Sequence, residues 1–139
     1  MSDEVRGVVV AHSSLANGLV SAARQISGVP EDALVALSND CRGPEALQES
    51  IREILGGGPG VVFTDLASGS CAFAARRITL DRDDTAIISG VNLPVLLDFA
   101  FHRDLPLPQL VERLLEKGRA GLTGTCREAA AHADRAFSG

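Results

Sequence analysis

The chain has 139 residues, 45% of them hydrophobic and 22% charged, a balance that fits one globular domain with an ordinary core and excludes intrinsic disorder. Its formal net charge of −5 argues against nucleic acid as the main partner, because phosphate backbones attract basic faces. No apolar run approaches the roughly 20 residues that span a bilayer. The acidic start Met1-Ser2-Asp3-Glu4 also lacks the positive charge that opens a secretory signal, so a cytoplasmic protein is expected.

Residues 7–11 (GVVVA) form a β-branched run that predicts a strand buried on both faces. Leu15, Leu19, Ala22, Ala23 and Ile26 then recur at helical spacing, and Gly28 and Pro30 close that helix. Residues 33–37 (ALVAL) are the second strand. Gly43-Pro44-Glu45 opens the next helix, with Pro44 in the first turn where its missing N–H costs nothing. Leu47, Ile51, Ile54 and Leu55 are its predicted buried stripe, and the run Gly56-Gly57-Gly58-Pro59-Gly60 stops it. Residues 61–64 (VVFT) are the third strand. Residues 70–78 are helical, with Ala72, Phe73, Ala74 and Ala75 as the face turned to the sheet. Residues 86–89 (AIIS) are the fourth strand, Asn92-Leu93-Pro94 starts a helix that runs to about Phe101, and Leu110, Val111, Leu114, Leu115 and Leu122 mark a last amphipathic helix.

Four alternations of strand and helix predict an α/β fold, a mainly parallel open sheet with helices on both faces. Ligands of such sheets sit beyond the carboxyl ends of the strands, where the strand order reverses. In a flavodoxin-like order 2-1-3-4 the first and third strands are neighbours. The first ends at His12, the third at Asp65, and adjacent strands lie about 4.8 Å apart. A carboxylate that accepts one imidazole N–H fixes the tautomer and leaves the other nitrogen free as a nucleophile toward phosphorus. A phosphoryl group so formed needs donors. Ser13 and Ser14 lie where the first helix begins, and Ser68, Gly69 and Ser70 lie where the third begins. Helix N-termini bind anions, and the Ser70 hydroxyl is the expected side-chain donor.

Each residue alone has a plainer reading. A histidine after a strand can cap or pack, an aspartate there can cap a helix, and serines before helices are commonly caps. Cys71 could be a nucleophile at a helix N-terminus or a small buried hydrophobe. Cys41, Cys71 and Cys126 lack CxxC spacing, so free thiols rather than a disulfide framework are expected. His12, His102 and His132 lack zinc-ligand spacing, and neither a metal nor a cofactor is predicted. There is no GxxxxGK[ST] phosphate loop and no GxSxG elbow. The latter argues against a hydrolase built on Ser13 or Ser70 with His12 and Asp65.

Three ordered stretches, residues 8–13 (VVVAHS), 62–70 (VFTDLASGS) and 88–96 (ISGVNLPVL), carry a family likeness. Over residues 6–123 the chain resembles the IIA component of the mannose family of the phosphoenolpyruvate-dependent sugar phosphotransferase system; residues 126–139 lie outside as a tail. The resemblance implies a single IIA domain over residues 1–139 that acts as a phosphotransferase. Its phosphorylated histidine falls on His12, its acidic partner on Asp65 and its phosphoryl-holding serine on Ser70. The implied donor is the small carrier HPr and the implied acceptor a IIB component, with membrane association only through the transporter. It also implies a homodimer that exchanges a C-terminal antiparallel strand, for which residues 121–125 are the candidate.

Two features depart from the family. Ser13 stands where glycine is common, as in the phosphocarrier subunit of dihydroxyacetone kinase, and Ala67-Ser68-Gly69 replaces an aromatic residue and two glycines. The stretches 37–40 (LSND) and 71–77 (CAFAARR) lean toward the amino-sugar branch. The alternative readings are the phosphocarrier subunit of dihydroxyacetone kinase and a regulatory binding protein switched by the same phosphohistidine.

Overall fold

The computed structural model describes residues 4–127. The elements follow the predicted alternation: β1 (Arg6–Ala11), α1 (Leu15–Ser27), β2 (Leu34–Ser38), α2 (Pro44–Leu55), β3 (Gly60–Thr64), α3 (Ser70–Thr79), β4 (Thr85–Ser89), α4 (Leu93–Phe101) and α5 (Leu107–Ala120). The strands form one parallel sheet in the order β2-β1-β3-β4. The strand order reverses between β1 and β3, so β1 lies in the middle with β2 and β3 on its flanks.

Strand periodicity divides the core in two. Val9 and Ala11 of β1 pack with Ala16, Val20 and Ala23 of α1, Val95, Leu96 and Phe99 of α4, and Leu110 and Leu114 of α5. Val8 and Val10 point the other way, into Leu47, Ile51 and Leu55 of α2 and Cys71, Ala74, Ala75 and Ile78 of α3. Alternate Cβ atoms of a strand face opposite sides of a sheet, so a run of valines with no polar break is what a doubly covered central strand requires.

Gly7 lets α4 approach the sheet. A Cβ there would sit 2.9 Å from the Phe99 ring, which meets Phe63 edge-on at 5.3 Å between centroids. Overpacking of this kind costs about 1–3 kcal/mol, so Gly7→Ala is expected to lower the urea midpoint by that equivalent. A midpoint equal to the parent's would contradict this packing.

Three expectations need correction. The buried face of α1 is Ala16, Leu19, Val20 and Ala23, whereas Leu15 and Ile26 are exposed. Alanines give a weak hydrophobic signal, yet they are what a helix lying close on a sheet buries. Phe73 is likewise exposed, and α3 turns Cys71, Ala72, Ala74, Ala75 and Ile78 inward. Leu122 lies past the end of α5 and is exposed. Residues 121–125 form no strand in this single chain: Gly121 ends α5 and the following residues run exposed. That segment is rich in Gly and Thr and short of apolar side chains to bury, and an exchanged strand would find its pairing partner on a second subunit. Of the expected tail, residues 128–139 fall outside the described part, and His132 with them.

Candidate functional site

The carboxyl ends of β1, β2 and β3 converge on one side of the sheet. Residues 12–14 follow β1, residues 39–43 follow β2 and residues 65–69 follow β3. His12 and Asp65 meet there, as the strand order predicts. The His12 ring Nδ1 lies 2.7 Å from Asp65 Oδ2, and the His12 backbone N–H donates to the same oxygen at 3.0 Å. Asp65 Oδ1 accepts from the Leu66 N–H at 3.0 Å. The imidazole is 48% exposed and the carboxylate 10%. This is neither a packed histidine nor a helix-capping aspartate.

Burial pushes the Asp65 carboxyl upward, but the His12 N–H, the His12 ring and the Leu66 N–H outweigh it and hold the group below the usual carboxylate range. An ionised carboxylate only accepts, so Nδ1 carries the shared proton. The lone pair is then on Nε2, which has no protein partner among the described residues and faces solvent.

The loop that carries Asp65 is fixed from below. Thr64 is fully buried; its hydroxyl donates to the Leu66 carbonyl at 2.8 Å and shares a hydrogen bond with Ser89 Oγ. The Thr64 carbonyl accepts the N–H groups of Gly90 and Val91. From α3, Arg76 donates to the Ala67 carbonyl at 3.3 Å. A carboxylate on a braced loop pays little ordering entropy when it orients the ring.

The serines do not act as ordinary caps. Ser14 occupies the N-cap of α1 without a side-chain capping bond, and the N-cap of α3 is Gly69, not a serine. Ser13, Ser14, Ser68 and Ser70 are all exposed beside the two helix starts. Gly69, at φ 93° and ψ −171°, adopts a backbone conformation essentially confined to glycine. Ser13 sits at φ 54°, the left-handed region where a Cβ costs about 1–2 kcal/mol, and its carbonyl accepts from Ser38 Oγ at 2.9 Å. Part of that strain is offset by the greater freedom of glycine in the unfolded chain, about 0.4–1 kcal/mol. Ser13→Gly is therefore expected to raise stability by less than about 1 kcal/mol; a clear loss by thermal unfolding would contradict the reading.

Two residues at the site escaped the sequence reading. Asn39, after β2, donates from Nδ2 to Ser70 Oγ at 3.1 Å, and Ser38 holds the Ser13 turn. The signal was the strand order itself: β2 flanks β1, so its end also reaches the site. Cys71 is the other surprise. Its sulfur lies with the donor atoms of His12 and Asp65, all within 4.8 Å of one another, although the spacing of these residues along the chain gave no metal pattern. Burial pushes the Cys71 thiol up, the Asp65 carboxylate adds to this and a Ser70 hydrogen bond opposes it. The thiol therefore stays protonated, as befits a buried small side chain. His102 is set apart, near the end of α4, where its Nδ1 lies 2.8 Å from the Asp98 carbonyl.

Among the described residues no helix is long and apolar enough to cross a membrane. No protein of curated function matches the chain in sequence. Solved structures do match it in fold. The phosphotransferase system component EIIA of Streptococcus agalactiae is similar at TM-score 0.79 and 18% identity, over 86% of this chain and 96% of that one. The mannose/sorbose-specific IIA subunit of Enterococcus faecalis is similar at TM-score 0.78 and 19% identity, over 88% and 96%. The IIA protein associated with the fucose utilization operon of Streptococcus pneumoniae is similar at TM-score 0.77 and 22% identity, over 88% and 94%. The profile of the EIIA-man family, described as "PTS system fructose IIA component", matches residues 7–114. The chain belongs to this mannose-type family of IIA components of the sugar phosphotransferase system.

Proposed function

We propose that the chain is a phosphoryl carrier: His12 accepts a phosphoryl group from phospho-HPr and passes it to a IIB component. The observation that carries this reading is the 2.7 Å bond from the His12 ring to Asp65, with the other ring nitrogen facing solvent. In the transfer, the Nε2 lone pair forms a new P–N bond as the donor's P–N bond breaks. The donor ring, protonated before transfer, keeps the bonding electron pair and leaves as a neutral imidazole, while His12 keeps its Nδ1 proton against Asp65, so one positive charge passes from the donor ring to the His12 ring. As charge builds on the His12 ring, the carboxylate stabilises it.

The transferred group brings about two negative charges. The N-termini of α1 and α3 both open at the site and present free N–H groups and the positive ends of their dipoles. Ser13, Ser14, Ser68 and Ser70 supply hydroxyls, and Gly69 lets the oxygens approach the backbone. Leu15, Leu66 and Phe73, exposed apolar side chains within three residues of these along the chain, suit the contact face of a protein partner rather than a sugar.

This reading takes residues 1–139 as a single IIA unit that works in the cytoplasm. It includes a homodimer: among the described residues β4 pairs only with β3, and a groove of about 410 Å³ beside it is lined by Ile88, Asn92, Leu115 and Leu122, among others.

The test mixes the chain with phosphoenolpyruvate, Enzyme I and HPr. Base-stable, acid-labile phosphate should appear on the chain and then move to a cognate IIB component. A chain that stays unlabelled would overturn the reading; label that never reaches IIB would favour the regulatory switch instead.

A further inference from the structure

The sheet places β1 between β2 and β3, so a contact from the end of β2 to the start of α3 must span the end of β1, where His12 sits. Asn39 makes that contact. Its backbone N–H donates to the Ala11 carbonyl at 3.1 Å, which extends the β1–β2 ladder by one step and fixes the side chain beside the site. Ser38 Oγ secures the same turn, donating to the Ser13 carbonyl and accepting from the Asp40 N–H. From this braced position Asn39 Nδ2 donates to Ser70 Oγ.

The polarity of that bond matters. A serine oxygen has two lone pairs and one proton. The amide nitrogen occupies a lone pair and can accept nothing, so the Ser70 proton must point elsewhere. Within the chain the Cys71 sulfur, a weak acceptor, is within its reach. A phosphoryl oxygen on His12 is a far stronger one. We infer that Asn39 is a positioning residue for phosphoryl transfer: it holds the Ser70 hydroxyl as a donor aimed at the phosphoryl group on His12. The inference rests on the proposed phosphoryl-carrier reading and adds to it a residue that does not itself touch phosphorus.

A loop tether and a positioning device respond differently to two substitutions. Asn39→Ala removes the bond. Asn39→Asp keeps a bond at the same position but reverses it: a carboxylate oxygen in place of Nδ2 accepts the Ser70 proton and brings a negative charge toward the phosphoryl group. If Asn39 only tethers the loop, Asn39→Asp should resemble the parent and Asn39→Ala should act through stability.

The experiment measures transfer from phospho-HPr to the full chain, with kcat and KM separated, for the parent, Asn39→Ala, Asn39→Asp, Ser70→Ala and the double variant Asn39→Ala/Ser70→Ala. The expected result is a kcat about 3- to 10-fold lower for Asn39→Ala, the scale of one neutral hydrogen bond, with KM for phospho-HPr unchanged. Asn39→Asp should fall further than Asn39→Ala, and the double variant should match Ser70→Ala alone. Additive losses in the double variant, or an Asn39→Asp chain as fast as the parent, would overturn the inference while leaving the carrier reading in place. A parent chain that takes no phosphate from HPr would overturn the carrier reading itself, and this inference with it.

Discussion

Replacing His12 with alanine should abolish phosphate labelling of the chain while leaving the fold intact. The imidazole is half exposed on a turn between β1 and α1, and surface changes of this kind usually move stability by no more than ~0.5 kcal/mol. Asp65 does not become an orphan, because the His12 and Leu66 backbone N–H groups still bind it. Among the described residues no substitute nucleophile is poised at the site. The Cys71 thiol is buried and held protonated, and the serines lack a base once the ring is gone. Thermal unfolding should therefore be nearly unchanged while radiolabel from phosphoenolpyruvate, through Enzyme I and HPr, falls to background. Label persisting on His12→Ala would place the acceptor elsewhere.

The second large effect is expected at Asp65. Asparagine has nearly the same shape, and with its Oδ1 toward the Leu66 N–H it keeps one backbone contact of the carboxylate. Its Nδ2 is a donor, however, and facing the ring it would favour the tautomer with the proton on Nε2. The nucleophilic lone pair would then be on the wrong nitrogen. Loss of an orienting carboxylate costs about 10–100-fold where only positioning is lost, and up to about 10⁴-fold where the wrong tautomer is imposed. Asp65→Asn should slow transfer within that range without unfolding the chain. Kinetics equal to the parent's would remove Asp65 from the mechanism.

The same pair sets a pH dependence of stability. Asp65 is held below its ordinary value of 3.8, so its folded form binds the proton less readily than its unfolded form. Its contribution is fully present above that ordinary value and is lost as pH falls through the lower folded value. The acid limb of the stability curve should therefore be shallower in Asp65→Asn than in the parent; identical limbs would contradict the shift.

The legible parts of this fold were those written in strong, unbroken signals. The valine run of β1 and the glycine and proline stops of α1 and α2 placed the elements within a residue or two. The alternation of strand and helix gave the sheet, and the strand order put His12 beside Asp65. Less legible was anything that depended on helix phase among small residues. The outward Leu15 and Phe73 looked buried because size outweighed position, while Ala16 and Ala74 carry the contact that lets α1 and α3 lie close to the sheet. The Asn39–Ser70 bond was hidden for another reason: it joins side chains 31 positions apart through a hydrogen bond that leaves no periodic trace in the sequence.

On the proposed reading, phosphorus bonds to the outward nitrogen of His12 because Asp65 holds the inward one. Nitrogen-15 and phosphorus-31 NMR of the histidine-labelled, phosphorylated chain tests it most directly. The expected result is a single phosphohistidine, at His12, with coupling from phosphorus to Nε2 and the Nδ1 proton still bound to Asp65. Phosphorus on Nδ1, or on any residue other than His12, would contradict it.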